Sequence, residues 1–305
     1  SPMLGADVCL EGFGEQQQQS YTQEQEDHML REAVQAAKEA DIVVLAIGED
    51  RLQSGEATSN ANIRIPEVQE ALLDRIAEVN QNIVVVLFSG RPLDIREINK
   101  KAKAILQVWL PGTEGARAIV NTLFGKYNPS GKLPMSFPYC VGQVPVHYNE
   151  YSTGRPHVEG KDKDRFRSKY LDIPNEPLYP FGYGLSYTTF EVSDIHLDRT
   201  WMDTSGQIEA EVTVKNTGNC TGTETLQLYI HDIAASVVRP VRELKDFKKV
   251  TLRPGEEKKV VFTITEQQLL FLTENGIYES EAGEFEIFIG KDSSTDNKAS
   301  FVLKK

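Results

Sequence analysis

The sequence predicts a three-layer α/β sandwich built on a parallel sheet, followed by an immunoglobulin-like β-sandwich. Two observations carry this prediction. In the first 125 residues, segments with helical periodicity alternate with short, continuous apolar runs, which is the pattern of repeated β-α units. From about residue 190 the apolar residues instead recur at every second position, as they do in strands with one buried face.

The elements of the α/β part follow from apolar spacing and from the residues that end each run. Leu30, Ala33 and Val34 fall on one helical face, and Pro66 opens another helix at a position where its missing N–H costs nothing. The strands are predicted to be covered on both faces, because their apolar runs are uninterrupted. The predicted helices span residues 26–40, 66–79, 94–100 and 113–124, and the predicted strands span residues 41–47, 83–88 and 104–110, with one further candidate strand at residues 7–10.

Residues 126–180 mix prolines, glycines, tyrosines and charges without a clear period. We predict that they form a long connection that wraps over the surface. The aromatic, glycine-rich run that follows is predicted to pack at the start of the sandwich rather than to form a site. The predicted domains are an α/β sandwich at residues 1–138, an extended connecting segment at residues 139–189 and a β-sandwich at residues 190–305.

The all-β part has apolar alternation and regularly placed turn signals. The alternating series lie at residues 208–214, 226–230, 260–264 and 285–289, and the turn signals lie at residues 216–219, 253–255 and 281–283. We predict about seven strands in about 115 residues, which is typical of an immunoglobulin-like sandwich.

Composition excludes several classes of function. The 305 residues carry a net charge of −12, which disfavours a nucleic-acid binder or a protein that docks on anionic lipid. No apolar run approaches 18 residues, so no membrane span is predicted. Cys9, Cys140 and Cys220 are too far apart for a zinc motif or a disulfide framework, and we interpret them as buried thiols. Nucleotide-binding and nucleophile-elbow motifs are absent from the sequence.

Three motifs, in this order, resemble the C-terminal half of glycoside hydrolase family three, the β-glucosidases and β-xylosidases. They are Ser54-Gly55-Glu56-Ala57, the run YNPSGKLPMSFP at residues 127–138 and the run PFGYGLSYTTF at residues 180–190. The order of Asn216-Thr217-Gly218 and Arg253-Pro254-Gly255-Glu256 resembles the fibronectin-III-like domain that closes many enzymes of this family. The resemblance covers nearly the whole chain.

Glu56 is the candidate catalytic residue. Taken alone, a Glu in a polar loop is most often a solvated surface carboxylate. This loop, residues 49–65, leaves the carboxyl end of a buried parallel strand, where open α/β sheets place their ligands. Gly55 beside it permits an unusual backbone. The resemblance implies that Glu56 is the general acid/base, which in this family reaches over the mouth of a separate barrel domain.

Other residues near Glu56 are rivals or departures from the family pattern. Glu49 and Asp50 are further acids in the same loop. Because Gly48-Glu49 recurs in the family at the strand end, we assign Glu49 a structural role. Similar enzymes carry an Arg where this chain has Asn60, which leaves that contact open. Trp109 ends a predicted strand and is a candidate for stacking on a sugar, with a core or interface role at least as plausible.

The resemblance implies hydrolysis of terminal β-linked glucose, or a similar sugar, by the retaining route and without a cofactor. That route needs two carboxyl groups about 5–5.5 Å apart. The family's second carboxylate, the nucleophile, is an Asp on the N-terminal barrel, and no position of this chain matches it. We therefore expect this chain to supply the acid/base loop, its own N-terminal barrel to be its partner, and the isolated chain to be inactive.

The alternative is a carbohydrate- or protein-binding module without catalysis. Such a module should begin at a domain boundary, whereas residues 5–8 resemble a point inside the family's second domain, after its first strand. This favours an N-terminally truncated α/β domain. A truncated sheet would expose an apolar edge, which tends to recruit another chain, so a homo-oligomer is a further expectation. The resemblance also implies a periplasmic or secreted location.

Overall fold

The computed structural model describes residues 21–50, 53–157 and 164–305. The chain divides into two compact units. The first holds the described residues up to Val120 together with Pro138–Val144, and the second holds Asn121–Phe137 and Pro145–Lys305. The limits of the three predicted domains stay a prediction, and the candidate strand at residues 7–10 lies outside the described residues.

The first unit contains a parallel three-stranded sheet with helices, as predicted. The strand order is β1-β2-β3. Strand β1 pairs with β2 from Val43 opposite Ile83 to Gly48 opposite Phe88. Ile83, Val85 and Leu87 of the central strand are fully buried, which explains its uninterrupted apolar run. The elements are α1 (Gln23–Glu39), β1 (Val43–Gly48), α2 (Glu67–Ala77), β2 (Ile83–Phe88), α3 (Arg96–Lys101), β3 (Ala104–Trp109) and α4 (Gly115–Leu123).

Helix α1 begins three residues before the predicted start at residue 26. Its N-terminal cap explains the difference. The Thr22 hydroxyl accepts a hydrogen bond from the Gln25 amide (3.3 Å), and the Gln25 side chain accepts one from the Thr22 amide (2.8 Å). This reciprocal capping box satisfies two amides that have no partner inside the helix. At 17 residues α1 is the longest helix of the described part of the chain, and none there can cross a bilayer.

The second unit is rich in antiparallel strands, as the predicted sandwich requires. One sheet has the order β10-β7-β4 with β5 also paired to β7, and a second has the order β6-β14-β13-β8-β9. Ile208, Val212, Leu228, Phe262 and Ile287 belong to one buried cluster. The strands are β4 (Phe190–Val192), β5 (His196–Leu197), β6 (Trp201–Asp203), β7 (Gln207–Asn216), β8 (Gly222–Asp232), β9 (Glu243–Leu252), β10 (Glu257–Thr265), β11 (Phe271–Leu272), β12 (Tyr278–Glu279), β13 (Gly283–Gly290) and β14 (Lys298–Lys304), and a helical turn, α5 (Glu266–Leu269), follows β10.

The two longest motifs of the sequence pack against each other within the second unit. Asn128 Oδ1 accepts hydrogen bonds from the Tyr187 amide (2.7 Å) and the Ser186 hydroxyl (2.8 Å), and its Nδ2 donates to the Thr221 carbonyl (2.9 Å). A Cβ at Gly184 would lie 2.3 Å from the Gly131 carbonyl oxygen, so only glycine permits this approach. The motifs therefore form a structural joint, as expected for the run at residues 180–190.

Asp232 is a buried carboxyl group at the end of β8. Its Oδ2 has no hydrogen-bond partner among the described residues. Burial raises the pKa of Asp232 from 3.8 to about 6; Arg239, the Ala234 amide and His231 lower it in part, and Glu281 raises it further. The folded protein therefore holds this proton more tightly than the unfolded chain does. The stability that follows is complete below about pH 4 and is lost as the pH rises through about 6.

We expect Asp232→Asn to change how stability depends on pH. Relative to the variant, the wild-type protein should lose up to about 3 kcal/mol of unfolding free energy between pH 4 and pH 7, as urea titrations at the two pH values would measure. Asp203→Asn is the control. The Ser205 hydroxyl lowers the pKa of Asp203, so the stability that Asp203 contributes is lost as the pH falls rather than as it rises. An equal difference between wild type and Asp232→Asn at both pH values would contradict this account.

Candidate active site at the carboxyl ends of the parallel strands

The candidate site lies where β1 and β2 end and the loop of residues 49–65 begins. Gly48 closes β1 with φ of 139°, a conformation that favours glycine. A Cβ there would lie 1.8 Å from the Phe88 carbonyl oxygen. The Glu49 amide donates to the same carbonyl at 2.8 Å. The close approach of the two strand ends thus fixes where the loop leaves the sheet.

Glu49 is a buried, paired carboxylate. Its side chain is 3% exposed, and its Oε1 lies 3.0 Å from Nε of Arg91. Its Oε2 accepts a hydrogen bond from the Gly90 amide at 3.2 Å. Both oxygens are therefore engaged at the ends of β1 and β2, which agrees with the predicted structural role.

Arg91 also binds the backbone of the loop. Its Nη2 donates to the carbonyl oxygens of Gln53 (2.6 Å) and Thr58 (2.9 Å). Asn60 adds a second connection, because its Nδ2 donates to the same Gln53 carbonyl at 3.1 Å and lies 3.4 Å from Glu49 Oε1. Asn60 therefore contacts the loop backbone and Glu49.

Glu56 lies at the tip of the loop, between Gln53 and Thr58. It is exposed, and no hydrogen bond or ion pair to its carboxylate occurs within the described ranges. Its neighbours Gly55 (φ 135°) and Ala57 (φ 60°) have positive φ, and the Thr58 hydroxyl closes the turn by donating to the Gly55 carbonyl at 2.7 Å. Left-handed backbone at Ala57 costs about 1–2 kcal/mol, so the surrounding contacts must maintain it.

The predicted acids therefore differ in what they contact. Glu49 is paired inside the unit and Glu56 presents its carboxylate outward, while the Asp50 carboxylate accepts from the Gln53 amide at 3.1 Å.

Trp109 ends β3 with φ of 53° and is partly buried. Arg91 was not predicted as a site residue, although its place shortly after the end of β2, in Ser89-Gly90-Arg91-Pro92, is a usable signal.

The described parts of the chain also show how the metal-binding residue types and two of the cysteines are placed. No group of three or more His, Cys, Asp or Glu side chains there is placed to hold a metal ion. Cys140 and Cys220 are free and only partly buried, so the expectation of buried thiols is not met for these two. Cys9 lies outside the described residues.

Two family profiles match the sequence. The profile of the glycosyl hydrolase family 3 C-terminal domain matches residues 6–187, and that of the fibronectin type III-like domain matches residues 224–293. A periplasmic β-glucosidase of Salmonella typhimurium is 48% identical over 275 residues, which are 90% of this chain and 36% of that protein. A putative β-xylosidase of Formosa agariphila is 38% identical over 92% of this chain and 37% of its own length.

Structural comparison agrees. The crystal structure of β-glucosidase from Listeria innocua in complex with glucose superposes with a TM-score of 0.87 at 40% sequence identity, covering 94% of this chain and 39% of that one. The chain thus spans little more than a third of the length of these relatives. The family profile covers more than half of the sequence, and the described fold matches that of the family's C-terminal part. This chain therefore belongs to glycosyl hydrolase family 3, of which it carries the C-terminal domain followed by a fibronectin type III-like domain.

Proposed function

We propose that this chain is the C-terminal portion of a retaining, exo-acting β-glucosidase-like hydrolase. In the complete enzyme, an N-terminal barrel supplies the nucleophilic carboxylate and Glu56 is the general acid/base. The observation that supports this assignment is the contrast within one loop. Glu49 has both oxygens engaged at 3.0 and 3.2 Å, whereas Glu56 stands exposed on a tight turn between two backbone carbonyls held by Arg91.

The chemistry follows the retaining route. The barrel carboxylate attacks the anomeric carbon while Glu56 donates its proton to the departing glycosidic oxygen. The carbon–oxygen bond to the aglycone breaks, and a covalent glycosyl-enzyme forms. Glu56, now a carboxylate, takes a proton from water as the water oxygen attacks the same carbon. The bond between that carbon and the barrel carboxylate breaks, so the sugar leaves with its β configuration and both carboxyl groups return to their starting states.

The proposed substrate is a terminal β-D-glucosyl, or β-xylosyl, residue of an oligosaccharide or glucoside. Its support is the relatives: the Listeria protein was crystallised with glucose, and the Formosa protein is a putative β-xylosidase. The proposed route needs no cofactor. We propose a periplasmic or secreted location, since the Salmonella relative is periplasmic.

The first test compares the isolated chain with the complete enzyme on p-nitrophenyl β-glucoside and β-xyloside. We expect no turnover by the isolated chain above a Glu56→Ala control, because half of the catalytic pair is missing. The complete enzyme should hydrolyse one or both substrates, and proton NMR should show the β-anomer of the sugar as the first product.

Several outcomes would contradict the proposal. Turnover by the isolated chain that Glu56→Ala abolishes would mean that the chain contains its own nucleophile. An α-anomer as first product would mean an inverting enzyme. A complete protein that binds glucosides in calorimetry but turns over none would favour the binding-module alternative. A fusion of the N-terminal portion of the Salmonella enzyme to this chain offers an independent source of the barrel.

A further inference from the structure

We infer that Arg91 is a positioning residue for Glu56: by binding the backbone on both sides of the loop tip, it sets where the Glu56 carboxyl group stands. This inference rests on the proposed function. Arg91 Nη2 reaches the Gln53 carbonyl at 2.6 Å and the Thr58 carbonyl at 2.9 Å. These two carbonyls lie three residues before and two residues after Glu56, so a single guanidinium joins the two stems of the loop.

Arg91 is itself held from the sheet. Its Nε lies 3.0 Å from Glu49, whose side chain is 3% exposed, while Arg91 is 23% exposed. Glu49 is in turn bound by the Gly90 amide. The Gly90–Glu49 hydrogen bond is charge-assisted, and such bonds are about twice as strong as neutral ones. The Glu49 side chain is also shielded from solvent. These contacts therefore fix the position of the loop relative to the ends of β1 and β2.

The loop needs such support. Ala57 and Gly55 hold positive φ values, which persist only when neighbouring contacts maintain them. Ser54 lies directly over Gly90, where a Cβ would come within 1.8 Å of the Ser54 hydroxyl oxygen. Contacts at Gly90, Arg91 and Asn60 thus surround the base of the turn, and the Glu56 carboxyl group projects beyond them.

The geometry also requires Arg at this position. The extended guanidinium lets Nε form an ion pair with Glu49 while Nη2 donates hydrogen bonds to two carbonyls of the loop. A Lys ammonium is a single point charge on a flexible stem, and it cannot hold both groups in this arrangement. Arg91→Lys should therefore keep the positive charge beside Glu49 and loosen the stems of the loop.

The test measures how the rate depends on the leaving group in the complete enzyme carrying Arg91→Lys. A displacement of about 1 Å can cost about 100-fold in rate, and the loss falls on the step that needs proton donation. We expect a 10- to 100-fold lower kcat/KM (order-of-magnitude range) for alkyl β-glucosides and a change of less than about threefold for dinitrophenyl β-glucoside, whose leaving group needs little help. In a Glu56→Ala background the same substitution should add almost nothing, because the group it positions is gone.

Arg96→Lys is the matched control. Arg96 also binds a buried carboxylate in the same unit, with Nη2 2.8 Å from Asp94. Within the described residues its side chain contacts Asp94 and the Tyr139 ring, which lie outside the loop of residues 49–65. Arg96→Lys should leave the dependence of kcat/KM on the leaving group unchanged. Glu49→Gln is a second variant that retains the side-chain shape and weakens the support of Arg91. It should show the pattern of Arg91→Lys at smaller amplitude.

The outcomes separate the two proposals. If Arg91→Lys slows every substrate equally and its effect adds to that of Glu56→Ala, or if it changes nothing, Arg91 does not position Glu56 and the inference is overturned. If Glu56→Ala itself shows no dependence on the leaving group, the proposed function fails first. Should Arg91→Lys prove unfolded by circular dichroism, the same criteria apply to Glu49→Gln.

Discussion

Replacing Glu56 by Ala in the complete enzyme is expected to slow alkyl β-glucosides by about 10²–10⁴-fold, the usual contribution of general acid catalysis. Dinitrophenyl β-glucoside should form the glycosyl-enzyme at nearly the original rate, because its leaving group departs without a proton. Deglycosylation then limits turnover, since no base activates water. Steady-state and burst kinetics on a series of aryl and alkyl glucosides measure both effects.

Azide provides a second signature of the same residue. In Glu56→Ala the site has lost a carboxylate that would repel an anion, so azide can attack the anomeric carbon of the glycosyl-enzyme. The bond to the barrel carboxylate breaks and β-glucosyl azide is released. We expect azide to restore turnover of dinitrophenyl β-glucoside in Glu56→Ala and to have no such effect on wild type.

Glu49 is the rival acid in this experiment. In Glu49→Ala the Glu56 carboxylate remains, so azide should neither accelerate turnover nor appear in the product. If instead Glu49→Ala yields glucosyl azide and Glu56→Ala does not, the assignment within the loop is wrong, although membership of the family stands.

Strand and helix positions in the α/β part were largely predictable from local pattern. The strand at Ile83–Phe88 has the predicted bounds, because glycine and polar residues limit a run that is apolar throughout. The start of α1 was missed, although Thr22 and Gln25 form a capping box that the sequence displays. Cap residues were thus a better guide to this boundary than the apolar face.

The all-β part shows where local pattern fails. The predicted strand count of about seven was too low, since eleven strands follow residue 189. Several of the additional ones are two or three residues long. Strand β9 is long, but Lys245, Lys248 and Lys249 obscure its alternation. It lies at the edge of its sheet, where lysines discourage pairing with other chains.

Some residues of the candidate site were predictable from the sequence and one was not. Glu56 and Glu49 were visible as loop acids after a buried strand, and the family motif favours Glu56 as the acid/base. Arg91 was not, because its role depends on bringing Gln53 and Thr58 within 3 Å of a residue more than 30 positions later. Likewise, the sequence of the motif did not reveal that Asn128 and Lys132 bind the run at residues 180–190, because these tertiary contacts join residues that are far apart in the chain.

Removing Lys132 is expected to produce a large loss of stability in the second unit. Lys132 Nζ lies 2.7 Å from Glu224 Oε1, with side chains 13% and 7% exposed, and it also donates to the Gly184 carbonyl at 2.9 Å. Lys132→Met leaves an uncompensated carboxylate in a buried position. Breaking such a pair costs about 3–5 kcal/mol.

Urea unfolding followed by fluorescence would measure this loss. The chain has two tryptophans, and in a Trp109→Phe background the remaining Trp201 reports on the second unit. Lys259→Met is the control, because Lys259 is 71% exposed in its pair with Glu211 and such surface pairs contribute about 0–1 kcal/mol. The double variant Lys132→Met/Glu224→Gln should recover much of the loss, since no buried charge is then left unpaired. Equal losses for Lys132→Met and Lys259→Met, or no recovery in the double variant, would show that the joint between the two motifs depends on packing rather than on this ion pair.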